Sequence, residues 1–269
     1  MNILDTIIQY KRTELAEKKE LFPIKRLEKS IYFLTPTISL SQYLLREDKS
    51  GIIAEIKRKS PSKGMINEYV DIEKISIGYM QAGASALSIL TDEYFFGGSS
   101  EYLSTARKYN YCPILRKDFI FDEYQIIEAK SIGADAILLI ASVLNPQQTK
   151  QLASFANSLG LEVLLEVHSK DEARVYPNEF CKLVGVNNRN LDDFSVSIQT
   201  SINLAEIIPA NFIKVSESGI NDPQNIIQLK EFGYQGFLMG EYFMQSANPH
   251  LKCASFIKTL KKMEAETCI

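Results

Sequence analysis

Eight short apolar, β-branched runs recur along the chain, separated by stretches of helical periodicity. They are Ile52 to Ile56, Ala86 to Leu90, Pro113 to Arg116, Ala136 to Ile140, Glu162 to Glu166, Leu183 to Val186, Phe212 to Val215 and Gly236 to Met239. Such runs, bounded by turn residues, predict strands buried on both faces, as in parallel sheets. The amphipathic stretches between them include Ile72 to Ala82, Glu123 to Ile132, Pro146 to Leu159 and Pro223 to Phe232. Several open with Asp, Asn or Ser beside Pro, a common way for a helix to start. An open doubly wound sheet would more often carry a Gly-rich nucleotide loop after its first strand, and none is present. The expectation is therefore an α/β chain folded as a (β/α)8 TIM barrel.

A chain of 269 residues with 45% hydrophobic residues is large enough to form one such barrel, since α/β barrels of roughly 250 residues are commonly single domains. Residues 1–269 are read as one domain, with no linker or low-complexity segment. Residues 1–45 precede the first strand as an N-terminal helical extension, with Ile3, Ile7, Tyr10 and Leu15 expected to form one apolar face over the barrel. Gly83–Ala84 and Gly133–Ala134 fit helix ends that turn sharply into strands.

A net charge of −3 offers no global attraction to nucleic acid or membrane, so any anion binding must be local. Cys112, Cys181, Cys253 and Cys268 are scattered, and His168 and His250 are far apart. Neither a zinc site nor a disulfide framework is indicated. With no leader-like N-terminus and no membrane-length apolar run, the expected setting is the reducing cytoplasm.

The segment GIIAEIKRKSPSKG, from Gly51 to Gly64, ends an apolar run in charge. Residues two apart in a strand share a face, so Glu55 and Lys57 point the same way as Ile53. Burying both costs several kcal/mol per ion, roughly 3 or more, unless each finds a partner or a charged ligand. The pattern repeats: Lys117 follows Leu115, Glu166 follows Leu164, Asn187 and Arg189 close the sixth strand, and Glu217 closes the seventh. All lie at C-terminal strand ends, where barrels of this type place their active sites. Glu55, Glu166 and Glu217 balance Lys57, Lys117 and Arg189, a set suited to acid and base roles together. A structural salt-bridge network is the alternative.

Ser218 and Gly219 follow the seventh strand and Gly240 the eighth, positions at which barrels often hold phosphate through backbone N–H groups. Lys59 and Ser60 add a charge and a hydroxyl. A ligand with one phosphate is expected.

At these residues the chain resembles the indole-3-glycerol phosphate synthase family over nearly its whole length. The motifs, in order, are AEIKRKSPSKG, LSILTDEYFFGGS, ILRKDFI, LLEVH, VGVNNRNL, SESGI and FLMGE. The resemblance implies conversion of 1-(2-carboxyphenylamino)-1-deoxyribulose 5-phosphate into indole-3-glycerol phosphate, CO2 and water, in tryptophan biosynthesis, without cofactor. It implies Lys117 as general acid and Glu166 as general base, with Lys57 holding the substrate carboxylate and donating a proton in the dehydration. Glu55 and Asn187 would orient substrate hydroxyls and lysines, and Glu217 and Arg189 would tune and position the others. Phosphate contacts map onto Ser218, Gly219, Gly240, the next residue and Lys59. Phe96 would wall the aromatic ring. The departure is Glu241, where some members carry a small hydroxyl residue; its side chain is expected to face solvent and its N–H to serve. The expected partner is a small phosphorylated substrate, bound by a monomer with at most weak association with other pathway enzymes.

Two rival functions differ in testable ways. A sugar-phosphate isomerase barrel would share the phosphate site but not the Glu, Lys and SPS of strand one. A binding-only barrel would be expected to lack one or more of the charged strand ends, all of which are present. The chain has no tryptophan, which suits an enzyme translated when that amino acid is scarce.

Overall fold

A computed structural model describes residues 3–191 and 193–267; Cys268 lies outside them. Eight strands, β1 (Ile52–Ile56), β2 (Ala86–Leu90), β3 (Ile114–Lys117), β4 (Ala136–Ile140), β5 (Glu162–Val167), β6 (Leu183–Asn187), β7 (Ile213–Glu217) and β8 (Tyr234–Met239), close into a barrel. All neighbours are parallel, and β1 seals it by pairing Ile53 with Ala86 of β2 and with Leu238 of β8. The predicted helices form within one residue of their expected bounds, as Ile72–Gln81, Glu123–Ser131, Pro146–Ser158 and Pro223–Glu231. Asp71, Asp122, Asn145 and Asp222 cap their N-termini, satisfying amides that have no intrahelical partner. Gly83 and Gly133 have φ of +99° and +93°, the left-handed turn that an α-helix needs to swing into the next strand.

Strand alternation divides the core in two. Ile52, Leu87, Ile114, Ile137, Val163 and Val184 face the helices, while Ile53, Ala86, Leu115, Leu138, Leu164, Leu183 and Val215 fill the barrel. Four strands outrun their predicted C-terminal ends, to Lys117, Val167, Asn187 and Glu217. Mostly polar residues give no hydrophobic signal, so a strand that ends in a site reads as shorter than it is.

The N-terminal extension is three helices rather than one: Ile3–Leu21, Ile24–Leu27 and Leu40–Leu44. The first presents Leu4, Ile7, Lys11 and Leu15 inward, not Tyr10, which is 41% exposed and stacks on Tyr94 at 4.5 Å between centroids. A lysine can occupy this stripe because Glu14, Asp92 and Asp118 lie 2.9, 3.5 and 3.0 Å from its Nζ. The last helix plugs the opposite end, where Leu40 and Leu44 join the barrel interior. Ser39 and Ser41 donate to Glu162 of β5, each at 2.8 Å. The extension thus roofs one mouth of the barrel and stoppers the other.

Arg116 points out of β3, away from the barrel axis, and is 1% exposed. It donates to Thr91 Oγ1 (3.0 Å), the Gln125 carbonyl (2.8 Å), Asp118 (3.1 Å) and Glu128 (2.5 Å).

Candidate active site

At the C-terminal end of the barrel the inward rows turn from apolar to charged. Ile53 is followed by Glu55 and Lys57, Leu115 by Lys117, Leu164 by Glu166, Leu183 by Gly185 and Asn187, and Val215 by Glu217. Of these, Glu55, Lys57, Lys117, Glu166, Asn187 and Glu217 line a cavity whose wall also includes Ser60, Phe96, Arg189, Ser218 and Glu241. Ile3, Leu4 and Ile7 of the first helix, with Leu138, Ile140 and Leu238, make it apolar on its other sides. No helix of the described residues is long and apolar enough to cross a membrane.

Lys117 stands at the centre. Its Nζ donates to Glu166 Oε2 at 2.8 Å and to Glu217 Oε2. Burial alone would lower its pKa, but Glu166, Glu217 and Glu55 more than offset that and raise it. The two glutamates diverge. Burial would raise Glu166, yet Lys117 and His168 hold it well below the carboxylate range. Glu217 is raised, by burial first and then by the nearby negative charges of Glu166 and Glu55, with Lys117 opposing. Two carboxylates on one ammonium cannot both ionise freely, and pairs pushed apart in this way mark acid–base sites.

Around this triad, Asn187 Nδ2 donates to Glu166 Oε1 at 3.2 Å, and Lys57 Nζ lies 3.0 Å from Glu55 Oε1. Two glycines make room. A Cβ on Gly185 would overlap Glu217 Oε1, and one on Gly240 would come within 2.5 Å of Glu55 Oε1. Gly185 was legible in principle, because a glycine inside a strand often signals a close approach. Gly185→Ala is expected to displace the Glu217 carboxylate and cut turnover at least tenfold, as misplacements near an angstrom do; wild-type kcat with full folding would contradict it.

Lys59, Gly219 and Gly240 are not part of the cavity wall. The Lys59 ammonium lies 5.8 Å over the Tyr94 ring, and Gly219 backs onto Val196. Glu241 corrects the expectation most clearly. Rather than facing solvent, it turns into the cavity mouth and accepts from Arg189 Nη2 at 2.9 Å, with Lys63 Nζ 3.9 Å away. An arginine already inside the mouth offers the carboxylate a better environment than an unpaired surface position. Ser218 adopts φ +67° directly before Gly219 at +76°, a backbone state that L residues adopt at a cost of order 1 kcal/mol and that clusters at functional sites. Phe96 is held by its loop: Asp92 Oδ1 accepts from the backbone N–H groups of Phe95 and Phe96 at 2.7 and 3.1 Å.

The comparisons with known proteins agree with this geometry. The family model for indole-3-glycerol phosphate synthase matches residues 4–256. An indole-3-glycerol phosphate synthase of Bacteroides thetaiotaomicron is 46% identical over 260 residues, covering 97% of this chain and 99% of that protein. One from Carboxydothermus hydrogenoformans is 42% identical, covering 91% and 96%. Among solved structures, a thiamine phosphate pyrophosphorylase from Pyrococcus furiosus superposes with a TM-score of 0.58 at 15% identity, over 78% of this chain and 95% of that one, a likeness of fold alone. Matched from its roofing helix to its last one, and carrying charged groups at five strand ends, the chain belongs to the indole-3-glycerol phosphate synthase family.

Proposed function

We propose that this chain converts 1-(2-carboxyphenylamino)-1-deoxyribulose 5-phosphate into indole-3-glycerol phosphate, CO2 and water. The observation that carries the reading is the Lys117 ammonium held between two unequal carboxylates, Glu166 and Glu217, in a cavity with apolar walls. The reaction is redox-neutral, so acids, a base and anion sites suffice and no electron carrier is called for.

Lys117 protonates the substrate ketone oxygen as the ring carbon bearing the carboxylate attacks the carbonyl carbon. The new carbon–carbon bond leaves that ring carbon tetrahedral, and loss of CO2 returns its bonding electrons to the ring. The resulting hydroxyl departs as water with a second proton, from Lys57 or reprotonated Lys117, while Glu166 removes a C–H proton to complete the indole. Two protons enter and one leaves, matching the loss of the substrate carboxylate's negative charge. Glu217 holds Lys117 in place, and Asn187 does the same for Glu166. Glu55 steers Lys57 toward the substrate carboxylate. Phe96 and the roof shelter the aromatic ring, and the phosphate sits at the cavity edge against Ser60 and Ser218 of the wall, within reach of the backbone amides that follow Ser218 and Gly240, with Lys59 swinging from Tyr94 toward it. The chain acts as a monomer in the cytoplasm.

Arg189 meets an incoming anion already paired with Glu241. Glu241→Gln is expected to lower KM up to about fivefold with kcat unchanged, the worth of a partly exposed ion pair of ~1 kcal/mol. A raised KM would show instead that Glu241 holds Arg189 ready for substrate. Ser218→Asp, which adds a negative charge at the phosphate end, should raise KM sharply, and an unchanged KM would move the phosphate elsewhere. In cells, a bacterium that lacks this step should grow without tryptophan when it carries the chain; no growth despite folded, expressed protein would count against the reading.

A further inference from the structure

His168 follows β5 and takes no part in the chemistry above, yet with Asn187 it flanks Glu166 Oε1, the carboxylate oxygen that Lys117 does not hold. Its Nε2 lies 3.2 Å from Glu166 Oε1, close but without a hydrogen-bonded partner. The other ring nitrogen is braced: Nδ1 is 3.2 Å from Ser142 Oγ and 3.6 Å from Glu172 Oε2. Glu172 is itself fixed, accepting from the His168 backbone N–H at 2.6 Å and from Ser142 Oγ at 2.7 Å. That hydroxyl has one proton, and it goes to Glu172, so Nδ1 must carry its own. An Nε2 facing a carboxylate at 3.2 Å also calls for a proton. A ring with a carboxylate on each side is best met as an imidazolium.

We propose that His168 is a positioning residue for the general base, a charged imidazolium that keeps the Glu166 carboxylate ionised and aimed while Lys117 turns to the substrate. When Lys117 gives its proton to the ketone oxygen, Glu166 loses its main counter-charge within the cavity. His168, on the far side, does not take part in that transfer and retains its charge. Burial alone would lower the imidazole pKa, but Glu166 and Glu172 raise it to about 10, so the charged form persists at neutral pH and is lost only as pH rises through that value. The ring borders a second, polar cavity of about 480 Å³ between the roof and the sixth βα loop. The other charged groups lining that cavity are Asp5 of the first helix and Arg189 after β6. The fixed brace, by contrast, comes from Ser142 after β4 and Glu172 of the helix Lys170–Val175.

The inference rests on the proposed activity for one of its two tests only. The first needs no turnover. With two histidines in the chain, ring-¹⁵N NMR of the wild-type protein, assigned by His168→Asn, should show both His168 nitrogens protonated at pH 8; a neutral ring would overturn the proposal. The second follows kcat against pH. Removing a positive neighbour makes the carboxylates easier to protonate, so His168→Asn should move the acid limb up by about one pH unit and lower kcat at neutral pH roughly tenfold, with KM within about threefold. Glu172→Gln should shift the limb the same way by less. An unmoved acid limb in a folded, active His168→Asn enzyme would overturn the proposal, whereas a wild type without turnover but with a doubly protonated ring would refute the activity alone.

Discussion

Replacing Lys117 with alanine is expected to lower kcat by ~10²–10⁴-fold while leaving affinity for substrate within about tenfold. The asymmetry follows from where Lys117 acts. In the free protein its charge is spent on Glu166 and Glu217, and in the proposed mechanism it reaches the substrate oxygen fully only as negative charge develops there. On the proposed reading, binding depends instead on groups spread over the cavity wall, from Phe96 to Ser218 and Arg189. Loss of the lysine also leaves two buried carboxylates facing each other, so Glu217 should take up a proton at neutral pH, consistent with its raised pKa. The check is single-turnover rate against equilibrium binding on the same variant. Binding that collapses while bound substrate still turns over would make Lys117 a docking residue.

The second large effect concerns stability. Arg116→Met should cost about 3–5 kcal/mol and lower the urea midpoint markedly, because it removes the charge that four buried acceptors share. Lys11 still faces Asp118 at 3.0 Å and Lys18 lies 3.5 Å from Glu128, which places the expected loss toward the lower end of that range. The residue next to it in β3 is Lys117, so a weakened strand would reach the site as well. A midpoint shift corresponding to less than about 1 kcal/mol would mean that the network is poorly coupled to folding.

The contrast between these neighbours shows what the sequence makes legible. In ILRKDFI, period-two alternation separates Lys117 from Arg116 without any structure, and the same rule places Glu55, Glu166, Asn187 and Glu217 inward. Eight apolar runs at barrel spacing were equally plain. What could not be read was side-chain direction in loops and helices. Glu241 turns inward because Arg189, fifty-two residues away, waits there. Lys11 occupies an apolar stripe because three carboxylates from different elements converge on it. Glu14, three residues on from Lys11 in the same helix, is the one local hint; the rest of the compensating charge, from Asp92, Asp118 and Arg189, is distant in sequence and leaves no local signal. His168 was visible only as the last letter of LLEVH, and its meaning depends on Glu172 and Ser142 arriving from two other segments.

The most direct test is to mix the purified protein with 1-(2-carboxyphenylamino)-1-deoxyribulose 5-phosphate, without added metal or cofactor, and follow indole fluorescence against a chain that contains no tryptophan. The account predicts prompt appearance of indole-3-glycerol phosphate with release of one CO2 per molecule, slowed by ~10²–10⁴-fold in Lys117→Ala. Folded protein that binds the substrate and forms no product would contradict it and make this a binding barrel.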